Sequence, residues 1–165
     1  MLQMHLCFDP VLREIAAPVD KIDDVLHAIL DEMVIMMNDQ VGVGLAAPQV
    51  GIRGRFLVMK DPETDKLYKM INPRIMSKSE KLCDMEEGCL SVLGGDNLPI
   101  FTYVTRPESI AIEWTDENGV ARAAEFSGFA SRIAQHEIDH LDGILFIDYL
   151  SPIKREQVMR KVKKK

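Results

Sequence analysis

The sequence predicts an α+β domain. Three observations carry this: helical periodicity near both ends of the chain, strand-like runs gathered between them, and no crossover helix separating the strands. Over residues 21–38 the apolar side chains Ile22, Leu26, Ile29, Met33 and Met37 recur at helical spacing, with Asp20 as the expected N-cap. A glycine-rich turn between Gly42 and Gly51 follows. Residues 55–59 then read as a short buried strand, and 68–75 as another interrupted by Pro73. Residues 109–114 and 120–126 alternate on either side of Asp116-Glu117-Asn118-Gly119, whose turn chemistry predicts an antiparallel hairpin. Helical spacing returns over 127–141 through Phe129, Ile133, Ala134, Ile138 and Leu141, and Gly143 supplies a C-terminal stop. A last helix starts near Pro152, a residue tolerated in a first turn.

Composition narrows the functional classes. With 165 residues, 47% of them hydrophobic, the chain is expected to form a single domain over 1–165, ending in a basic helix at about 152–165. It contains no internal repeat, low-complexity tract or Gly/Ser/Pro-rich linker. No stretch approaches the roughly 18 to 20 apolar residues of a membrane span, and the start MLQMHLCFDP lacks a basic lead into an apolar run, so a cytoplasmic protein is expected. Three cysteines, Cys7, Cys83 and Cys89, read as core filler or ligands rather than a disulfide framework. A net charge of −6 argues against a nucleic-acid coat, but the charge is uneven. Residues 152–165 hold seven basic residues and one acid, leaving 13 basic against 25 acidic in the body. Such a tail is either a solvated last helix or a surface for a polyanion or membrane.

The sharpest chemical signal is His136-Glu137-Ile138-Asp139-His140 within the second long helix. Residues four apart share a helix face, so both imidazoles can converge on one cation with Glu137 beside it as a general acid/base. The bland alternative is two histidines flanking a core. Zinc peptidases with this helix draw a third ligand from downstream, yet no His follows His140 and Glu156 is the only Glu. Upstream, Cys89 lies in Glu87-Gly88-Cys89-Leu90-Ser91, and a thiolate with two imidazoles would bind a transition metal and leave a position open. Taken alone, Cys89 reads equally as a buried free thiol. In Gly42-Val43-Gly44-Leu45-Ala46-Ala47-Pro48-Gln49, glycines and small residues would let an extended substrate backbone lie close, with the Gln49 amide at the end. The same run is also compatible with an ordinary turn.

Together the three segments resemble one family, the peptide deformylases of bacterial type, whose signatures are G-x-G-L-A-A-x-Q, E-G-C-L-S and Q-H-E-x-D-H-L. All three stand intact and in family order, as residues 42–49, 87–91 and 135–141, and the resemblance extends over nearly the whole chain, Ile71-Asn72-Pro73 included. The resemblance implies antiparallel sheets packed around a central helix that carries the His-Glu-x-x-His motif. It implies one divalent metal held by Cys89, His136 and His140, Fe2+ in the family with Zn2+ or Ni2+ as substitutes, and Glu137 as catalytic acid/base. A metal-activated water attacks the formyl carbon of an N-formylmethionyl nascent peptide, the Gln49 amide and the Leu90 backbone N–H stabilise the oxyanion, and formate leaves. Val43, Phe129 and Ile133 are implied for the methionine pocket, with main-chain contacts from Gly44 and Gly88. Phe129 and Ile133 also read as plain core. A ferrous site with a thiolate ligand is expected to be open to oxidation. In the family the basic C-terminal helix docks on the ribosome, which gives the charge excess here a specific reading. Glu87, Asp139 and Arg106 are candidates to orient the imidazoles.

One segment departs from the family pattern. After the second signature, Leu93-Gly94-Gly95-Asp96-Asn97-Leu98-Pro99-Ile100-Phe101-Thr102-Tyr103 leads to Val104-Thr105-Arg106, several residues longer than the usual connection to Val-Pro-Arg. Its glycines and exposed aromatics predict a mobile rim over the cleft, and leave peptide selectivity beyond methionine and any substrate role of Arg106 open. Two other readings compete: a zinc endopeptidase, disfavoured by the missing downstream ligand, and a non-catalytic metal- or peptide-binding relative, disfavoured because Glu137 and Gln49 are both present.

Overall fold

The computed structural model describes residues 2–162, so Lys163, Lys164 and Lys165 of the expected basic tail lie outside the described residues. The elements run α1 (Asp24–Asp39), β1 (Gly44–Ala46), β2 (Phe56–Lys60), β3 (Leu67–Lys78), β4 (Leu82–Glu87), β5 (Thr102–Pro107), β6 (Ser109–Thr115), β7 (Ala121–Ser127), α2 (Gly128–Leu141) and α3 (Pro152–Lys161). A five-stranded antiparallel sheet has the order β1-β2-β3-β6-β7, and β4 pairs with β5 in a second sheet. This is the α+β arrangement expected.

The strand β2 explains the position of the sheet. Its alternate residues serve two cores, Leu57 and Met59 packing with α2 residues such as Ile133, Ala134 and Ile138, and Phe56 and Val58 with α1 residues Leu26, Leu30, Met33 and Met37. A strand buried on both faces has no polar side to show, so it reads as an unbroken apolar run. The expected hairpin is present with Thr115 opposite Ala121, and Asp116 accepts hydrogen bonds from the backbone N–H groups of Asn118 and Val120 across the turn.

The strands of the hairpin, β2 and the start of α2 fall within a residue of expectation, the last helix ends at Lys161 rather than continuing to about 165, and two further boundaries differ by three residues. Helix α1 begins at Asp24 rather than after Asp20, because the Asp23 side chain accepts the Leu26 N–H at 3.1 Å and satisfies a donor that the helix cannot. Strand β3 runs through Pro73 to Lys78, since the register slips between Ile71 and Arg74 and the missing proline donor falls in that bulge. There Asn72 takes positive φ while its side chain both donates to the Val19 carbonyl and accepts the Val19 N–H, each at 2.8 Å.

Strands β1, β4 and β5 lay outside the sequence reading. Strand β1 is three residues long, and β4 is rich in Asp and Glu, which are poor strand formers. The connection between β4 and β5 folds back on itself: Leu93 bridges Pro99, and Gly94 N–H donates to Leu98 O and Ile100 N–H to Val92 O. Ile100 packs into a third core with Val92, Cys89, Phe146 and two residues of the C-terminal segment, Val158 and Val162. Val162 also pairs with Gly94, so the end of α3 grips the rim segment.

Helix α2 is buried along nearly its whole length, with only Asp139 of residues 130–141 outside the buried class. It ends where Gly143 adopts φ +72; a Cβ there would fall 2.7 Å from the Arg13 carbonyl oxygen, so the stop requires glycine. Among the described residues no helix is long and apolar enough to cross a membrane.

Candidate metal centre and cleft

Helix α2 passes beneath β1 and β2 and delivers His136, Glu137 and His140 to one end of the cleft. Just past the end of β4, Gly88 and Cys89 approach the same point. Cys89, His136 and His140 each offer a buried ligand atom, and these atoms lie within 4.8 Å of one another. Cys89 Sγ is 3.3 Å from His140 Nε2. The three were expected to converge from the sequence, and they do.

Burial works against protonation of His136, but hydrogen bonds to Cys89 and Glu87 outweigh it and raise its pKa well above the ordinary imidazole value. His140 moves the opposite way, pushed well below by burial and by the neighbouring His136. It therefore stays a neutral imidazole, the form that ligates metals. Among the described residues three buried side-chain atoms, Arg132 Nε, Glu137 Oε2 and His140 Nδ1, have no hydrogen-bond partner. Soft sulfur with two imidazoles, beside the unpartnered buried carboxyl oxygen of Glu137, fits a transition-metal ion.

Glu137 lies beside this cluster with its carboxyl against Gly44. A Cβ on Gly44 would come within 2.3 Å of Glu137 Oε1, so the glycine creates the space the carboxylate occupies. Burial pushes the Glu137 pKa up to about 7, where a carboxyl can both take and give a proton near neutral pH. Gln49, in a short turn after β1, is held by its own backbone. Its Oε1 accepts the Ala46 N–H at 2.8 Å, which turns its Nε2 towards Cys89 Sγ at 3.6 Å and Ser91 Oγ at 3.3 Å.

The imidazole orientation is set by a buried ionic network. His136 Nδ1 donates to Glu87 Oε2 at 2.9 Å, leaving Nε2 for the cluster. Glu87 also accepts from Arg106 at 2.6 and 3.0 Å and from Arg132 at 2.8 Å, while Arg106 donates to Asp139 at 2.6 Å. Burial alone would raise the Glu87 pKa, but the hydrogen bonds from His136 and Arg106 hold it well below the usual carboxylate range. Arg106 is 2% exposed and spans Glu87 and Asp139, so its guanidinium is committed to the protein. Glu87, Asp139 and Arg106, singled out from the sequence but not paired there, are thus linked. Arg132 was missed, although its place one turn before His136 on the same helix is the signal that points to it.

The cleft above the cluster has a volume of about 280 Å³. Val43, Gly44, Gln49, Gly88, Cys89, Leu90, Phe129, Ile133, His136 and Glu137 all line it, so of the metal, catalytic and substrate residues expected from the sequence only His140 lies behind its wall, as do Arg106 and Asp139 of the orienting network. Ile133 belongs both to the wall and to the core under the sheet, which joins the two readings it had. Phe129, 39% exposed, stands at the opening. Pro99 and Phe101 of the rim segment line it too, Phe101 being one of the aromatics expected over the cleft and Pro99 one that had no assigned place.

Two imidazoles, a thiol and a buried carboxyl at the floor of an apolar cleft define a metal-dependent hydrolase. The sequence matches the family model described as polypeptide deformylase over residues 1–156. The peptide deformylase of Rhizobium meliloti (strain 1021) is 41% identical over 159 residues, covering 94% of this chain and 88% of that protein. The crystal structure of a peptide deformylase from Legionella pneumophila superposes with a TM-score of 0.89 at 37% identity, covering 98% of this chain and 92% of the other. That of a peptide deformylase from Synechococcus elongatus in complex with actinonin gives 0.90 at 35% identity, over 97% and 86%. The chain belongs to the polypeptide deformylase family. It is accordingly a metal-dependent hydrolase that removes the formyl group from the N-terminus of nascent polypeptides.

Proposed function

We propose that Cys89, His136 and His140 hold the ion, Fe2+ in the native protein with Zn2+ or Ni2+ able to replace it, and that Glu137, Gln49 and Leu90 carry the chemistry. The observation that carries this reading is the convergence of the Gln49 amide, the Glu137 carboxyl and the three ligand atoms at the floor of one apolar cleft. When bound, the ion supplies Lewis acidity to water and to the formyl oxygen. Glu137 takes the proton of the attacking water and passes it to the departing amine, so that formate and a free N-terminus result. The Gln49 Nε2–H and the Leu90 backbone N–H donate to the oxygen on which negative charge develops. The fixed Gln49 rotamer supports this role, because its Oε1 is already committed to Ala46.

The methionine side chain occupies the cleft between Val43, Phe129 and Ile133, and the peptide main chain runs between Gly44 and Gly88. The whole chain acts as one domain in the cytoplasm, and the basic helix α3 docks on the ribosome near the emerging peptide. The exposed charge of Lys154 and Lys161, on a helix whose Val158 faces the core, supports an electrostatic contact.

The deciding experiment is anaerobic hydrolysis of formyl-Met-Ala-Ser by iron-loaded protein beside Glu137→Ala and an N-acetylated control. Formate release from the formyl peptide alone, lost in Glu137→Ala with metal retained, is expected; release by Glu137→Ala at the parent rate would remove Glu137 from this role. For the tail, Lys154→Glu with Lys161→Glu is expected to weaken ribosome binding and flatten its salt dependence without changing turnover of the tripeptide. Unchanged affinity would return α3 to a solvated helix.

A further inference from the structure

The segment between β4 and β5 carries a feature that formyl hydrolysis does not require. Phe101 is 62% exposed, yet its ring edge lies flat against the backbone of Gly88, where a Cβ would fall 2.7 Å from Cε1 and 2.9 Å from Cδ1 and Cζ. The ring therefore occupies the space a side chain at position 88 would take, and forms the outer wall of the cleft on that side. Val41, 91% exposed, and Phe129 line the same cleft. Exposed apolar groups gathered around an opening mark a surface kept for an apolar occupant.

The rim segment fixes the backbone next to this ring. The Leu93–Pro99 bridge, the hydrogen bond from Ile100 N–H to Val92 O and the packing of the half-buried Ile100 against the core of Val92, Val104 and Val158 hold the residue before Phe101. A ring carried on a fixed backbone loses less freedom when a ligand packs on it than one on a mobile loop. Resting on the reading of the cleft as the formyl-methionine site, we propose that Phe101 is a specificity-determining residue that selects peptides with an apolar side chain after the methionine. A peptide passing Gly88 leaves the cleft beneath Phe101, and successive side chains of an extended chain face opposite ways, so the ring meets one of the two residues that follow.

The test uses full-length metal-loaded protein and its Phe101→Ala variant with two peptide series, formyl-Met-X-Ser and formyl-Met-Ala-X, where X is Leu, Ala or Asp. Phe101 is exposed, so its truncation leaves the cores intact. The parent is expected to prefer Leu over Asp by about fivefold in one series, expressed in KM. Phe101→Ala should bring that ratio close to one, and Phe101→Leu should restore part of the preference. An equal Leu/Asp ratio in parent and Phe101→Ala would overturn the proposal and leave the cleft reading standing. A parent that releases no formate from any of the peptides would overturn both.

Discussion

Replacing Gly44 by alanine tests the catalytic geometry most directly, because the three atoms nearest the added methyl all belong to the proposed base. Its Cβ would sit 2.3 Å from Glu137 Oε1 and 2.7 Å from both Cδ and Cγ. Non-bonded contacts are comfortable only from about 3.5 Å, so the side chain must retreat by about 1 Å. Rotating the carboxyl cannot relieve the overlap, since Cγ is also too close, and the retreat has to move Glu137 on a helix packed on nearly every side. Overpacking of this kind costs about 1–3 kcal/mol of stability. A displacement of about 1 Å in a reacting group lowers the rate by roughly a hundredfold. The metal ligands are not touched, so Gly44→Ala should keep its metal, lose a few degrees in Tm and lose roughly a hundredfold in kcat on formyl-Met-Ala-Ser. Metal analysis, thermal unfolding and formate release measure the three quantities. Turnover within about twofold of the parent at full metal content would refute the placement of Glu137 against Gly44 as a catalytic requirement.

Three other outcomes follow from the same structure. Glu87→Gln keeps the shape but removes the charge that Arg106, Arg132 and His136 share, and should weaken metal affinity by about 10- to 100-fold in competition with a chelator; Glu87→Ala, which takes the shared carboxylate from two buried guanidinium groups and leaves Arg106 with Asp139 and Arg132 with backbone carbonyls and the Cys83 sulfur, should in addition lose about 3–5 kcal/mol in denaturant unfolding. Stripping the metal with a chelator should abolish formate release and lower Tm, both restored by an added divalent ion, with stabilisation of about 2.7 kcal/mol at an ion concentration a hundredfold above Kd. Burial would raise the Asp148 carboxyl, but hydrogen bonds from Arg13 and the Leu145 N–H hold its pKa below the ordinary value, so its contribution is complete above about pH 4 and disappears as pH falls through the lowered value. The Tm gap between parent and Asp148→Asn should accordingly be widest near neutral pH and close towards pH 3; a constant gap would contradict the assignment.

The limits of the sequence reading have identifiable causes. The two helices nearest the site and the β6–β7 hairpin declared themselves through periodicity and turn chemistry, which are local properties of a dozen residues. The pair β4–β5 did not, because its strands are polar, alternate in burial and meet across the long 88–101 connection with no tight turn between them. The helix start moved from Asp20 to Asp23 because either carboxylate can cap, and the choice depends on how residues 19–22 leave Asn72.

The chain's own order of residues supplied the candidates for the chemistry. The His136–His140 spacing points through helix period to two ligands with a base beside them, whereas Cys89 between Gly88 and Leu90 and the Gly42–Gln49 run acquire the ligand and cleft-wall roles proposed for them only when the three motifs are taken together as a family resemblance. Tertiary structure alone decided how they are held. Only the fold brings Glu87 between His136, Arg106 and Arg132, lays Phe101 across Gly88, and ties Gly94 to Val162. These partners are separated by tens of residues, and no local pattern records which distant charge or ring will be the neighbour when the cores close around them.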